Sequence, residues 1–215
     1  MSPEHDEPTA ARAPLELVPL AVSRSKLERE LELWRVNSAV YRRHGWLLLD
    51  VDDLTVDVGF VARVAVGDMQ LPIFTAAIRL RYDNYDLWPP SLTFIDPSSG
   101  AAAVPTVQAP DRVDGQIRNV LLGLPGTGQP FLCLPGLREY HHHPQHTGDD
   151  WLLHRAAGEG SLAVICDRVW RRMARNVVGL SVQMQSLPHA GTQLHIALGQ
   201  GDVDAVPVAG DGTAA

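Results

Sequence analysis

Residues 46 to 82 hold successive strand-forming stretches with short gaps between them, and this constrains the fold more than any other feature of the chain. Trp46-Leu47-Leu48-Leu49-Asp50-Val51 is a short apolar run, and Thr55 to Val66 carries β-branched residues in partial alternation. Gly67-Asp68 marks a turn, after which Leu71 to Tyr82 sets Ile78, Leu80 and Tyr82 against Arg79 and Arg81. A period of two with one apolar face describes half-buried strands. Neighbours joined by gaps this short pair antiparallel, because a parallel pair needs a crossover of about a dozen residues. The expected centre is an antiparallel meander packed on a helix.

That helix precedes the strands. Leu27, Leu31, Trp34 and Tyr41 recur at helical spacing among charged residues, and Ser25 with Glu28 forms a capping-box pattern. The pattern predicts a helix over 25–43, ended near Gly45. A second helix is expected after Trp151, with Leu162, Ile165, Cys166, Val169, Trp170, Met173 and Val177 on one face and arginines on the other. On that stripe Cys166 behaves as a small hydrophobe. The fold class is α+β: an N-terminal helix, a four-stranded antiparallel meander, a site loop and C-terminal helices. Residues 1–22 are expected to be a flexible extension, 23–198 the domain and 199–215 a disordered tail. Residues 180–198 supply a final strand or helix, in which His189 and His195 are ordinary polar residues.

Charge and composition narrow the function. A formal net charge of −7 opposes an electrostatic nucleic-acid interface. No signal sequence is evident, and no apolar run reaches the roughly 18 residues of a membrane span. The default location is the reducing cytoplasm, which leaves Cys133 free to react. Gly123 to Gly128 lacks the Lys-Ser/Thr of a phosphate loop.

Chemistry concentrates in Gln129 to Trp151, which holds Cys133, four of the nine histidines, Glu139, Asp149 and Asp150. A thiol attacks as thiolate, and polar or cationic neighbours favour that form. Imidazoles are also the commonest metal ligands. Two chemistries compete. In one, Cys133 is a nucleophile with His143, His146, Asp150, His141 and Asp149 as candidates to orient or move a proton. In the other, His141, His143 and His146 bind zinc, with Cys133 or Asp149 completing the shell and Glu139 or Asp150 as base.

Between strands and site, Tyr82 to Pro97 crosses an aromatic loop and the pair Pro89-Pro90, which belongs beside a sheet edge. The order of helix, strands, Tyr-to-Pro-Pro-to-Phe segment, cysteine loop, tryptophan and helix resembles the ubiquitin-conjugating (UBC-like) enzymes over residues 23–178. Lys26-Leu27-Glu28-Arg29-Glu30-Leu31 is similar to that family's first helix. Tyr82 through Phe94 is similar to its Pro-Pro signature, Phe131-Leu132-Cys133-Leu134 to the run around its active cysteine, and Trp151 to the tryptophan that follows. The family's His-Pro-Asn has no counterpart before Cys133; the only His-Pro, His143-Pro144, comes after it.

The resemblance implies a transferase that carries a ubiquitin-like modifier as a thioester on Cys133 and passes it to an amine. Its partners would be an activating-enzyme-like protein, the modifier and a protein target, in a bacterial conjugation system, with no cofactor required. Two alternatives stay open: a non-catalytic binding module of the same fold, and a zinc-binding protein using the His141–His146 loop.

Overall fold

The computed structural model describes residues 16–66, 68–105, 110–113, 116–119, 121–175, 177–187 and 191–200. The first helix, α1 (Leu20–Arg43), starts ahead of the expected Ser25. Pro19 is its N-cap, with an extended ψ of 131°, and the Glu16 carboxylate accepts from Leu20 N at 3.1 Å. That carboxylate takes one of the amide groups that a helix start leaves without partners, so the Ser25–Glu28 box is not used and both residues face solvent. Leu27, Leu31 and Trp34 are buried, as their spacing predicts.

Four strands follow in the expected order: β1 (Trp46–Asp52), β2 (Thr55–Val66), β3 (Met69–Arg81) and β4 (Ser91–Phe94). Each pairs antiparallel with the next. Gly45 makes the turn from α1 into β1 at φ +78°, and a Cβ there would stand 2.0 Å from the Val61 carbonyl oxygen. Only glycine fits that approach. One sheet face buries Val56, Val58, Phe60, Ile78 and Leu80 in a single cluster with Leu27, Leu31 and Trp34 of α1. Full burial of side chains of this size stabilises by about 1.5–3 kcal/mol each.

Beyond β4 come two short hairpins: β5 (Pro110–Val113) with β6 (Gln116–Asn119), and β7 (Leu121–Gly123) with β8 (Pro130–Leu132). Two one-turn helices, α2 (Arg138–His142) and α3 (Trp151–Arg155), flank the 3₁₀ turn Pro144–His146. The helix α4 (Leu162–Met173) then closes the core with Leu162, Ile165, Cys166, Val169 and Met173. Its first amide, Leu162 N, donates to Glu30 Oε2 of α1 at 3.0 Å.

The described residues do not end on helices. Val177, expected to extend the apolar stripe of α4, instead opens β9 (Val177–Leu187), which returns as β10 (Gly191–Gln200). Leu180, Val182 and Met184 alternate with Ser181, Gln183 and Gln185, a period-two pattern that accords with the observed strands. This hairpin joins the sheet by a parallel pairing of Ala65 with Gly179, which makes six strands in all. His195 falls in β10; His189, residues 1–15 and residues 201–215 lie outside the described residues, and with them most of the expected lead-in and tail. Among the described residues no helix is long and apolar enough to cross a membrane.

Candidate functional site

A tight turn just past β8 fixes the direction of Cys133. Leu132 and Leu134 are buried on either side of it, which turns the intervening thiol toward the surface, where it is half-buried. Leu134 N donates to Leu132 O at 2.9 Å and closes a tight turn centred on the cysteine.

The loop that follows is fastened by two neighbours in sequence. Arg138 donates from its guanidinium to Pro89 O at 3.2 Å, to Asp83 Oδ2 at 2.8 Å and to Asp83 O at 2.7 Å, and it lies 5.2 Å from the Trp88 ring. Its backbone N donates to Pro90 O at 3.0 Å. Glu139 accepts from the Ser91 hydroxyl and from Leu92 N. Burial pushes the Glu139 carboxyl up, against the Ser91 bond. The aromatic Pro-Pro segment is therefore the wall on which the site loop is mounted. Glu139, an expected candidate base, is committed to this mounting.

Gly136 allows the loop to pass under the turn before α4: a Cβ there would meet the Glu159 carbonyl oxygen at 2.0 Å. Trp151 is buried and donates from Nε1 to Asp86 O at 3.0 Å, which pins the far end of the loop.

Within this frame one histidine reaches the cysteine. Cys133 Sγ lies 3.1 Å from His146 Nε2. A neutral His146 accepts the thiol proton there, and a protonated ring donates to the thiolate. The His146 ring stacks on Tyr140 with centroids 3.8 Å apart, which sets its plane. Tyr140 donates its hydroxyl to Asp149 Oδ2 at 2.6 Å, and His154 Nε2 lies 2.6 Å from Asp149 Oδ1. These two bonds hold the Asp149 carboxyl below its ordinary range, and the Asp149 bond raises the Tyr140 phenol to about 12.

The remaining candidates have other work. His143 stacks on Phe131 at 5.3 Å and accepts from Gln145 N through Nδ1 at 3.3 Å. Asp150 is exposed and caps α3 by accepting from Leu152 N at 2.9 Å. His141 sets both ring nitrogens against backbone carbonyls, Pro135 O at 2.7 Å and Asp149 O at 2.8 Å, and so braces the two ends of the loop. Among the described residues no three His, Cys, Asp or Glu side chains form a group that could hold a metal ion. His141, His143 and His146, the three histidines of the zinc expectation, stand as brace, ring stack and thiol partner.

Electrostatics define the resting state of the pair. Burial pushes the Cys133 thiol up, opposed by the charge of Arg172 from α4, and burial pushes His146 down, with His143 adding to the effect. Both directions favour thiol and imidazole over thiolate and imidazolium. The neutral pair is therefore the favoured state near neutral pH. His146 also lines a cavity of about 550 Å³, together with His141, Asp149, Trp88 and Arg138. Tyr140, Arg138, His154 and Arg172 carry no local motif, and only their places in the fold reveal them.

The comparisons with known proteins agree on one relationship. A family model described as Y4jH-like, the Y4jH family, matches residues 18–125 and 113–177, which include Cys133 and His146. The chain is 34% identical to a protein of Sinorhizobium fredii (strain NBRC 101917 / NGR234) described as uncharacterized protein y4jH, over 72% of this chain and 83% of that one. On both grounds, the chain belongs to the Y4jH-like family.

Proposed function

We propose that Cys133 is an acyl-accepting nucleophile and His146 its proton partner, in a UBC-like transferase that carries a ubiquitin-like modifier. The observation that carries the reading is the 3.1 Å contact between Sγ and Nε2 on a half-buried thiol. The resemblance of Tyr82–Phe94, Phe131–Leu134 and Trp151 to the ubiquitin-conjugating enzymes supports the choice of acyl donor.

The steps balance without a cofactor. Cys133 attacks the thioester that joins the modifier to an activating-enzyme-like partner. His146 takes the Sγ proton, the new bond forms between Sγ and the acyl carbon, and the partner leaves as a thiolate that His146 reprotonates. An amine of the target then attacks the Cys133 thioester, forms an amide and releases the cysteine as the neutral thiol its burial favours.

The test is a non-reducing gel of this protein with its activating-enzyme-like partner, ubiquitin-like modifier and ATP. The reading predicts an upshift that a reducing agent removes and that Cys133→Ala abolishes. A wild-type protein that binds the modifier without forming a thiol-sensitive adduct would make it a binding module instead.

A further inference from the structure

Away from Cys133, a chain of net charge −7 gathers four arginines around one surface cavity. The cavity measures about 690 Å³, and Arg42, Arg43, Arg63 and Arg175 line it. It exists because two strands share one edge of β2. The strand β1 pairs with β2 as far as Phe60, and β9 takes up that strand at Ala65, while on the other edge the β2–β3 register shifts between Phe60 and Val61. Where the two part, the gap is spanned by the Gly45 turn, whose carbonyl accepts from Val61 N at 2.8 Å.

Floor and rim differ in character. Val61, Phe74 and Trp170 provide apolar surface, and Phe74 is 41% exposed, a large ring left open to solvent. His44 stacks on Trp170 at 5.0 Å, and the Arg175 guanidinium lies 5.9 Å from the same ring, so the indole is held as a fixed wall. Among the described residues no aspartate or glutamate lines the cavity. Among the described residues Arg42, Arg43 and Arg63 enter no ion pair. Like charges that line one cavity repel one another, and an anion between them relieves that repulsion.

We infer that this cavity binds a small amphipathic anion, a carboxylate or phosphate head on a short apolar body. Guanidinium forks match the planar geometry of either head, and the aromatic floor takes the body. The volume falls in the range of about 300–1,000 Å³ usual for small-ligand sites, and the acidic remainder of the chain disfavours a nucleic acid on the same surface. The site stands independently of the Cys133 reading.

Calorimetric titration of the full chain tests this with octanoate and octyl phosphate, each below its micelle concentration, and with octyltrimethylammonium as the cationic control. Wild type binds at least one of the anions and not the cation, and the anion that binds more tightly identifies the head group. The exposed double substitution Arg43→Gln and Arg63→Gln weakens anion binding by about tenfold or more, since charge-assisted contacts are lost, with an unchanged circular dichroism spectrum. Absence of binding by both anions, equal binding of the cation, or unchanged affinity in the double variant would each overturn the inference.

Discussion

Cys133 and His146 form a neutral pair, and that makes their pH behaviour distinctive. The thiol sits above its ordinary value because burial disfavours its charge, and His146 sits below its own for the same reason. Alkylation of Cys133 by iodoacetamide, which follows the thiolate, is therefore expected to climb with pH through and beyond about 8.5, the usual thiol value. A preformed thiolate–imidazolium pair would instead hold a plateau down into mildly acid solution, and a plateau at pH 6 would refute the neutral pair. The residue scale is also where the sequence was least legible. It showed a density of polar groups around Cys133 but not which group faces it, because a one-turn helix, a 3₁₀ turn and another one-turn helix reorient the chain within a few residues. His143 stands nearer to Cys133 in sequence than His146 does, and Asp150 only a few residues beyond it, yet one stacks on Phe131 and the other caps α3.

At the scale of elements, the site loop is clamped between the Pro-Pro segment and the turn before α4. Gly136 is the tightest point of that clamp, with the Glu159 carbonyl oxygen where a side chain would begin. Gly136→Ala is expected to cost about 1–3 kcal/mol, the usual price of overpacking, and to displace Cys133 from His146. Chemical denaturation checks the first effect. The loss of contact is read from the pH profile of alkylation, which should shift toward that of a free cysteine. Unchanged stability and an unchanged profile would mean that the loop is not held there. The two long helices, α1 and α4, and the first four strands were visible in sequence because each repeats one period for several turns or pleats. The mounting of the loop was not, since Arg138 and Asp83 meet across 55 positions and announce nothing locally.

At the scale of the whole molecule, one cluster joins α1, the meander and α4, with the second cysteine inside it. Cys166 is fully buried, and burial raises its thiol well above the ordinary range. Its pH window follows from that direction: across neutral pH the folded protein keeps Cys166 protonated and enclosed, so it reacts only when the core opens. A thiol count should find one reactive cysteine in the native protein and both after unfolding. Rapid labelling of two thiols in the native state would contradict the described core. The α+β class was legible as a whole, and so was the order of the four-stranded meander. The β9–β10 hairpin was open between strand and helix in sequence, and its parallel attachment at Ala65 is a long-range pairing without a local signal.

The most direct test of a nucleophile assisted by His146 needs no partner protein. The chain is incubated with a small aryl thioester, and acyl transfer is followed by intact mass and peptide mapping in wild type, Cys133→Ala and His146→Ala. The account predicts a single acyl group on Cys133, none in Cys133→Ala, and a rate about 10²–10⁴ lower in His146→Ala, as expected when a positioned base is removed. Acylation of Cys133 at the wild-type rate without His146, or acylation elsewhere in the wild type, would contradict it.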